Sequence, residues 1–258
     1  MNRVRKIYKR AVSTEDGRIR EYRLESQGEI VAGDIDIPET GRGPGVLILP
    51  PIGSTKEEMI FLSRAFVNDG FVGLRIDLPG SGESSGALTL DAEKILSLIV
   101  HDFLKQPEIT SSKVIVIGVS LGAYWMVKTM AINDRIAGGI GISIPVFHQE
   151  QWDSLEESFW IRFQQSFRCP NRIKTREMST KMTLYGVLGR VHNPILAFHG
   201  EKDTVNHPES PRILQENSGD SLELIIFPNE GHGCLGEIRS KILPKSLEWS
   251  KKIIGSYA

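Results

Sequence analysis

The chain has 258 residues, 40% of them apolar and 24% charged, with a formal net charge of −1. That length closes a full core as one α/β domain with space for one inserted segment, and the charge balance argues against nucleic acid or an anionic membrane as the main partner. No apolar run reaches the roughly 20 residues needed to span a bilayer, so no membrane span is expected.

Other whole-chain features are ordinary. The basic start from Met1 to Arg10 has no apolar segment behind it, so no secretory leader is expected. Cys169 and Cys234 are the only cysteines and suggest no disulfide framework, which makes a reducing cytoplasm the expected setting.

In chain order, Ile19 to Glu25 and Ile30 to Ile37 read as a hairpin, and Gly45 to Leu49 as the next strand. Thr55 to Asn68 reads as an amphipathic helix opened by a capping box, Thr55 with Glu58. Phe71 to Asp77 follows as a strand and Asp91 to Lys105 as a helix with one apolar face. The apolar run from Lys113 then leads into Gly118-Val119-Ser120-Leu121-Gly122 and on into residues of helical composition. Ile136 to Ile144 reads as a Gly-rich buried strand, and Pro194 to Phe198 and Leu222 to Phe227 as two more, each with a helix after it. Ile238 to Ile254 is the last helix. Such alternation predicts the α/β class, a mostly parallel twisted sheet with helices on both faces.

Pro145 to Arg190 breaks the alternation, because it is far too long for a simple connection. It holds Phe147, Trp152, Phe159, Trp160, Phe163, Phe167 and Tyr185, several of them near helical spacing. Packing on the core accounts for some of these rings. The segment also opens at the carboxyl edge of a strand, which predicts an inserted lid that excludes water and shapes a substrate pocket. Trp152, Asp153, Glu156, Trp160 and Phe163 are its candidate pocket residues. The expected division is a core of residues 1–144 and 191–258 with a lid over 145–190.

A strand, Gly-x-Ser-x-Gly and a helix in succession form the context of a nucleophile elbow. The turn forces Ser120 into a strained conformation and raises its hydroxyl above the sheet edge, while Gly118 and Gly122 keep Cβ atoms out of crowded places. A serine hydroxyl needs a base and an acid to orient that base. Of six histidines, His232 lies in a glycine-flanked loop just past the last predicted strand; His101 faces away on a helix, and His148, His192 and His207 read as local or solvated. His199 reads as a structural neighbour of the acid loop. Asp203 is the expected acid, ahead of Glu201, because it lies further into the loop after the penultimate strand. The chain order Ser120, Asp203, His232 is the one this elbow requires. For an oxyanion, the backbone N–H of Leu121 is the first expected donor. The second is Ile52, with Gly53 next, since Pro50 and Pro51 have no N–H to give. The Gly-rich loop from Asp77 to Gly86 lacks the third glycine of a dinucleotide fingerprint. No metal-ligand spacing occurs, so no metal and no cofactor are expected.

Together, Asp77-x-Pro79-Gly80-x-Gly82-x-Ser84, Gly118-Val119-Ser120-Leu121-Gly122, Gly200-x-x-Asp203 and Gly231-His232 resemble the α/β-hydrolase superfamily, from about Val31 to Ile254. Ser54-Thr55-Lys56-Glu57-Glu58 and the Cys234 beside His232 are similar to the serine esterase group around the fermentation-respiration switch protein, which includes carbon–carbon bond hydrolases. Two departures stand out. Pro50-Pro51 replaces the His-Gly common before the oxyanion donor, and no counterpart of the helical N-terminal extension of some members is expected, leaving the lid to residues 145–190. The resemblance implies a serine hydrolase cleaving a carboxylic ester or thioester, on a small-molecule or acyl-carrier-linked substrate. Hydrolysis of an activated C–C bond, as in a β-diketone, is the alternative, with Asp153 or Glu156 as an extra carboxylate. A non-catalytic ligand-binding protein on the same scaffold is the alternative of another class.

Overall fold

The apolar runs become strands because both of their faces are covered. Along β3 (Gly43–Leu49), Val46 and Ile48 join one core together with Ile115 and Ile117 of β5 (Ile109–Val119). Leu47 and Leu49, with Val114 and Val116, join the other. Successive strand residues point to opposite faces, so a run this continuously apolar needs a helical layer on each side. The computed structural model describes residues 18–26, 28–147, 152 and 155–255.

The remaining strands are β1 (Ile19–Ser26), β2 (Glu29–Asp36), β4 (Val72–Ile76), β6 (Ile136–Ile142), β7 (Ile195–Gly200) and β8 (Leu222–Phe227). They form one eight-stranded sheet in the order β1-β2-β4-β3-β5-β6-β7-β8. β1 and β2 are the expected antiparallel hairpin, and β2 runs antiparallel to β4. Every later pairing is parallel. The carboxyl ends of β3 to β8 therefore share one edge, where an open α/β sheet places its site.

The helices are α1 (Ile60–Asn68), α2 (Glu93–Phe103), α3 (Leu121–Met130), α4 (Glu157–Phe167), α5 (Arg172–Ser179), α6 (Ser210–Ser218) and α7 (Leu243–Ile254). Leu62 and Phe66 of α1 and Trp249 and Ile254 of α7 fill one core. Leu96, Ile99 and Phe103 of α2 and Trp125 and Val127 of α3 fill the other. Two expected helices open differently from the apolar pattern. The first begins as a 3-10 turn over Lys56–Met59, because Lys56 is drawn inward and its N–H is bonded to Asp77 Oδ1 at 2.8 Å. The last opens as a π turn over Ile238–Ile242, where the Ile242 N–H reaches the Glu237 carbonyl. Pro244, in the next turn, has no N–H to give to a helical carbonyl.

Within residues 145–190, α4 lies against the loops at the carboxyl edge. Leu88 N–H donates to the Ser166 carbonyl at 2.8 Å, which ties α4 to the loop after β4. The Arg162 stem crosses Gly53 so closely that a Cβ there would stand 2.9 Å from Arg162 Cδ.

Candidate active site

The site begins with a turn too tight for ordinary residues. β5 ends at Val119 and α3 starts at Leu121, leaving Ser120 alone at φ 50°, ψ −117°. A non-glycine residue in that region costs on the order of 1–3 kcal/mol. The Ser120 N–H donates to the Ile142 carbonyl of β6 at 2.8 Å, which anchors the strained residue to the neighbouring strand. A Cβ on Gly118 would lie 2.4 Å from Ala123 Cα, and one on Gly122 would lie 2.2 Å from the Leu49 carbonyl oxygen. Both glycines are there so that backbone can meet backbone.

The other two residues come from the next strand ends. After β7, Asp203 Oδ1 accepts the N–H groups of Val205 at 2.9 Å and Asn206 at 3.0 Å. After β8, His232 stands with Nδ1 2.9 Å from Asp203 Oδ2 and Nε2 2.9 Å from Ser120 Oγ. Burial works to raise the Asp203 carboxyl, but the hydrogen bond and charge of His232 and the two N–H donors hold it below the usual carboxylate range. The structure therefore brings together the three residues expected of the triad.

Ile52 and Leu121 are both buried, and among the described residues neither backbone N–H has a backbone acceptor. Gly122 packs on the Leu49 and Pro50 carbonyls, so the loop carrying Ile52 abuts the elbow carrying Leu121. Beneath that loop lies a buried ionic frame. Lys56 Nζ, 1% exposed, donates to Asp77 Oδ2 at 2.9 Å and Glu83 Oε2 at 2.8 Å. Arg75, fully buried, donates to the Lys56 carbonyl at 2.8 Å and clasps both Asp36 oxygens. Burial works against the Lys56 ammonium, but Asp77, Glu83 and Glu57 hold its pKa well above the ordinary lysine value. The glycine-rich loop read from sequence thus supplies Asp77 and Glu83 as fixed anchors.

The expected pocket residues lie in different places. Trp152 stacks on Phe147 at 4.9 Å, and Trp160 and Phe163 pack against Trp152 at 5.8 and 5.1 Å. All three are buried in the core cluster that also holds Ile52, Leu121 and Tyr124. Glu156 is exposed at the N-cap of α4, and Asp153 lies outside the described residues. Among the other histidines, His101 and His192 are exposed and His207 is half-buried; His148 lies outside the described residues. His199 is buried at the end of β7, and burial, opposed by Asp203 and reinforced by His232, holds its pKa below the ordinary value. Sequence reasoning missed Lys56 and Asn206. Asn206 carried the one local signal, three residues beyond Asp203, where an Asp side chain meets the following backbone N–H groups. Among the described residues no group of three His, Cys, Asp or Glu side chains is placed to hold a metal ion.

A mainly parallel sheet with a strained serine at a strand–helix turn, and an acid and a histidine at later strand ends, defines an α/β hydrolase. Solved structures agree on the fold. The 2,6-dihydroxy-pseudo-oxynicotine hydrolase superposes with a TM-score of 0.84 at 23% identity, covering 98% of this chain and 73% of that one. The α/β hydrolase GrgF from Penicillium sp. sh18 gives 0.77 at 16% identity, covering 92% of this chain and 99% of that one. In sequence, 2,6-dihydropseudooxynicotine hydrolase from Paenarthrobacter nicotinovorans is 26% identical over 211 residues, 78% of this chain. The chain spans only 55% of that relative's length. Residues 61–256, which include Ser120, Asp203 and His232, match the prolyl oligopeptidase family model, and the chain belongs to that family. It is a hydrolase.

Proposed function

We propose that the protein cleaves a carboxylic ester or thioester through an acyl-enzyme on Ser120. The observation that carries this reading is the unbroken relay Ser120 Oγ, His232, Asp203, with both links at 2.9 Å. His232 Nε2 takes the Ser120 proton as Oγ bonds to the acyl carbon. The resulting oxyanion is stabilised by the Leu121 and Ile52 N–H groups. Collapse breaks the bond to the alcohol or thiol, which leaves with the proton from His232. Water then attacks the acyl carbon, giving its proton to His232, and the acid departs as Ser120 regains that proton. Asp203 fixes the histidine tautomer and stabilises the imidazolium throughout.

The resemblance of Ser54-Thr55-Lys56-Glu57-Glu58 and Cys234 to a group that includes carbon–carbon bond hydrolases favours a second reading, hydrolysis of an activated C–C bond on the same triad. There the leaving group is a carbanion or enolate. Glu156 is exposed, so His232 is the proton donor in this reading too. Residues 145–190 are proposed to act as the lid, on the strength of α4 lying across the loops that carry Gly53 and Leu88. The substrate is a small molecule or an acyl-carrier-linked acid, and the free thiols of Cys169 and Cys234 suit a cytoplasmic setting. Among the described residues no helix is long and apolar enough to cross a membrane.

A panel of p-nitrophenyl esters, acyl thioesters, β-diketones and a prolyl-peptide anilide tests the choice. Turnover of esters or thioesters well above the rest is expected. Turnover of diketones alone would move the assignment to the second reading, and turnover of the anilide alone would overturn both. Stoichiometric binding without turnover of any arm would identify a ligand-binding protein.

A further inference from the structure

The triad residues follow β5, β7 and β8, and in the sheet β6 lies between β5 and β7. The residue that follows β6 is Ser143, fully buried and held at φ 54°. A serine in the left-handed region is uncommon and persists where its surroundings over-determine it. Its surroundings here are the loops of the triad.

Every polar group of Ser143 is bonded. Its N–H donates to the Phe198 carbonyl of β7 at 2.8 Å. Its carbonyl accepts Asn206 Nδ2 at 2.9 Å, and the Asn206 N–H is itself one of the donors to Asp203 Oδ1. Its hydroxyl oxygen accepts the Gly233 N–H at 2.9 Å, next to His232 in the chain. One residue earlier, the Ile142 carbonyl accepts the Ser120 N–H. Two consecutive residues at the end of β6 thus contact the nucleophile turn, the acid loop and the histidine loop. The positive φ aims the carbonyl and hydroxyl at two different loops, which continued extended backbone would not do.

We propose that Ser143, through its hydroxyl bond to Gly233 and its carbonyl bond to Asn206, is a positioning residue that sets the registry of His232 and Asp203 against Ser120. This rests on the serine-hydrolase reading above. Catalytic groups must be held to within about 0.5 Å of productive geometry by a supporting shell, and His232, partly exposed in a glycine-flanked loop, has its ring bonded among the described residues to Asp203 and Ser120. The Gly233 bond restrains the backbone on which that ring turns.

Ser143→Gly is the discriminating variant, because glycine keeps φ 54° without strain and removes only the hydroxymethyl group. Turnover of the best p-nitrophenyl ester should fall 10- to 100-fold in kcat, with KM within about threefold and thermal melting close to wild type. The same change in a His232→Ala background should cost less than about twofold, because its whole effect runs through the histidine. A merely structural role would lower Tm, or would lower residual activity equally in both backgrounds. Asn206→Ala, which removes the second strut and leaves Ser143 intact, should show the same kcat-weighted loss, and it carries the test if Ser143→Gly does not fold. Wild-type kcat in both variants, or full additivity with His232→Ala, overturns the proposal. Wild-type turnover in Ser120→Ala would instead overturn the hydrolase reading itself, so the two failures are told apart.

Discussion

Ser120 is held on three counts: its φ is positive, its N–H is committed to β6, and its hydroxyl is committed to His232. Chemistry at this scale depends on which carboxylate orients the histidine. Asp203 does so with a side chain wholly withdrawn from solvent, whereas Glu201 is exposed. Asp203→Asn should reduce kcat by on the order of 10³-fold, somewhat less than His232→Ala. Glu201→Gln should stay within about twofold of wild type. Steady-state kinetics of the three variants check this, and a damaging Glu201→Gln beside a silent Asp203→Asn would reverse the assignment. The meeting of Ser120, His232 and Asp203 was legible in the sequence because each lies in the turn or loop that follows a strand, in the order the elbow requires. Ser143 was not. An ordinary serine after an apolar strand carries no local sign of its φ or of bonds to residues 63 and 90 positions later. Lys56 was hidden for a related reason: its neighbours Thr55 and Glu58 read as a helix start, and the Glu58 carboxylate does accept the Thr55 N–H at 3.2 Å, but what Lys56 itself reaches is 21 and 27 residues away.

Among the elements, α4 is where periodicity was informative but incomplete. Helical spacing of Trp160, Phe163 and Phe167 correctly gives a helix with one apolar face. It does not say what that face meets, and here Trp160 and Phe163 are buried against Phe147 and Trp152, with Phe147 in turn meeting Tyr124 of the elbow helix. Core packing and pocket shaping are compatible in such a layer, since the rings that seal the core also limit the space above it. Trp160→Ala should therefore do two things. It should destabilise by about 3–5 kcal/mol as a buried large-to-small change. It should also shift relative kcat/KM between short and long acyl chains by roughly 10-fold, the scale of one lost apolar contact in a pocket. Chemical denaturation and a chain-length series measure the two effects. Equal kcat/KM losses at every chain length would leave α4 as core and remove the lid.

At the scale of the whole molecule, the buried ionic frame joins β2, β4, the loop carrying Ile52 and the glycine-rich loop into one unit. Asp34 stands at its edge. Burial raises its pKa from 3.8 to about 6, against the pull of Arg75 and Lys56 and with the repulsion of Asp36 and Glu57. A carboxyl with a raised folded-state pKa holds its proton more tightly folded than unfolded, so its contribution to stability is full below pH 3.8 and is lost as pH rises through about 6. At ~1.4 kcal/mol per pKa unit this loss is up to ~3 kcal/mol. Asp34→Asn, neutral at every pH, should flatten the stability profile between pH 4 and pH 7, as followed by urea unfolding. A profile parallel to wild type would show that Asp34 ionises normally.

All of these expectations rest on Ser120 being the nucleophile. Reaction with a fluorophosphonate followed by mass spectrometric mapping tests that most directly, read beside the kinetics of Ser120→Ala. The account predicts a single stoichiometric adduct on the peptide containing Ser120, no adduct on a folded Ser120→Ala, and turnover in that variant reduced by several orders of magnitude. A label on any other residue, or a Ser120→Ala variant that turns over at the wild-type rate, would contradict it.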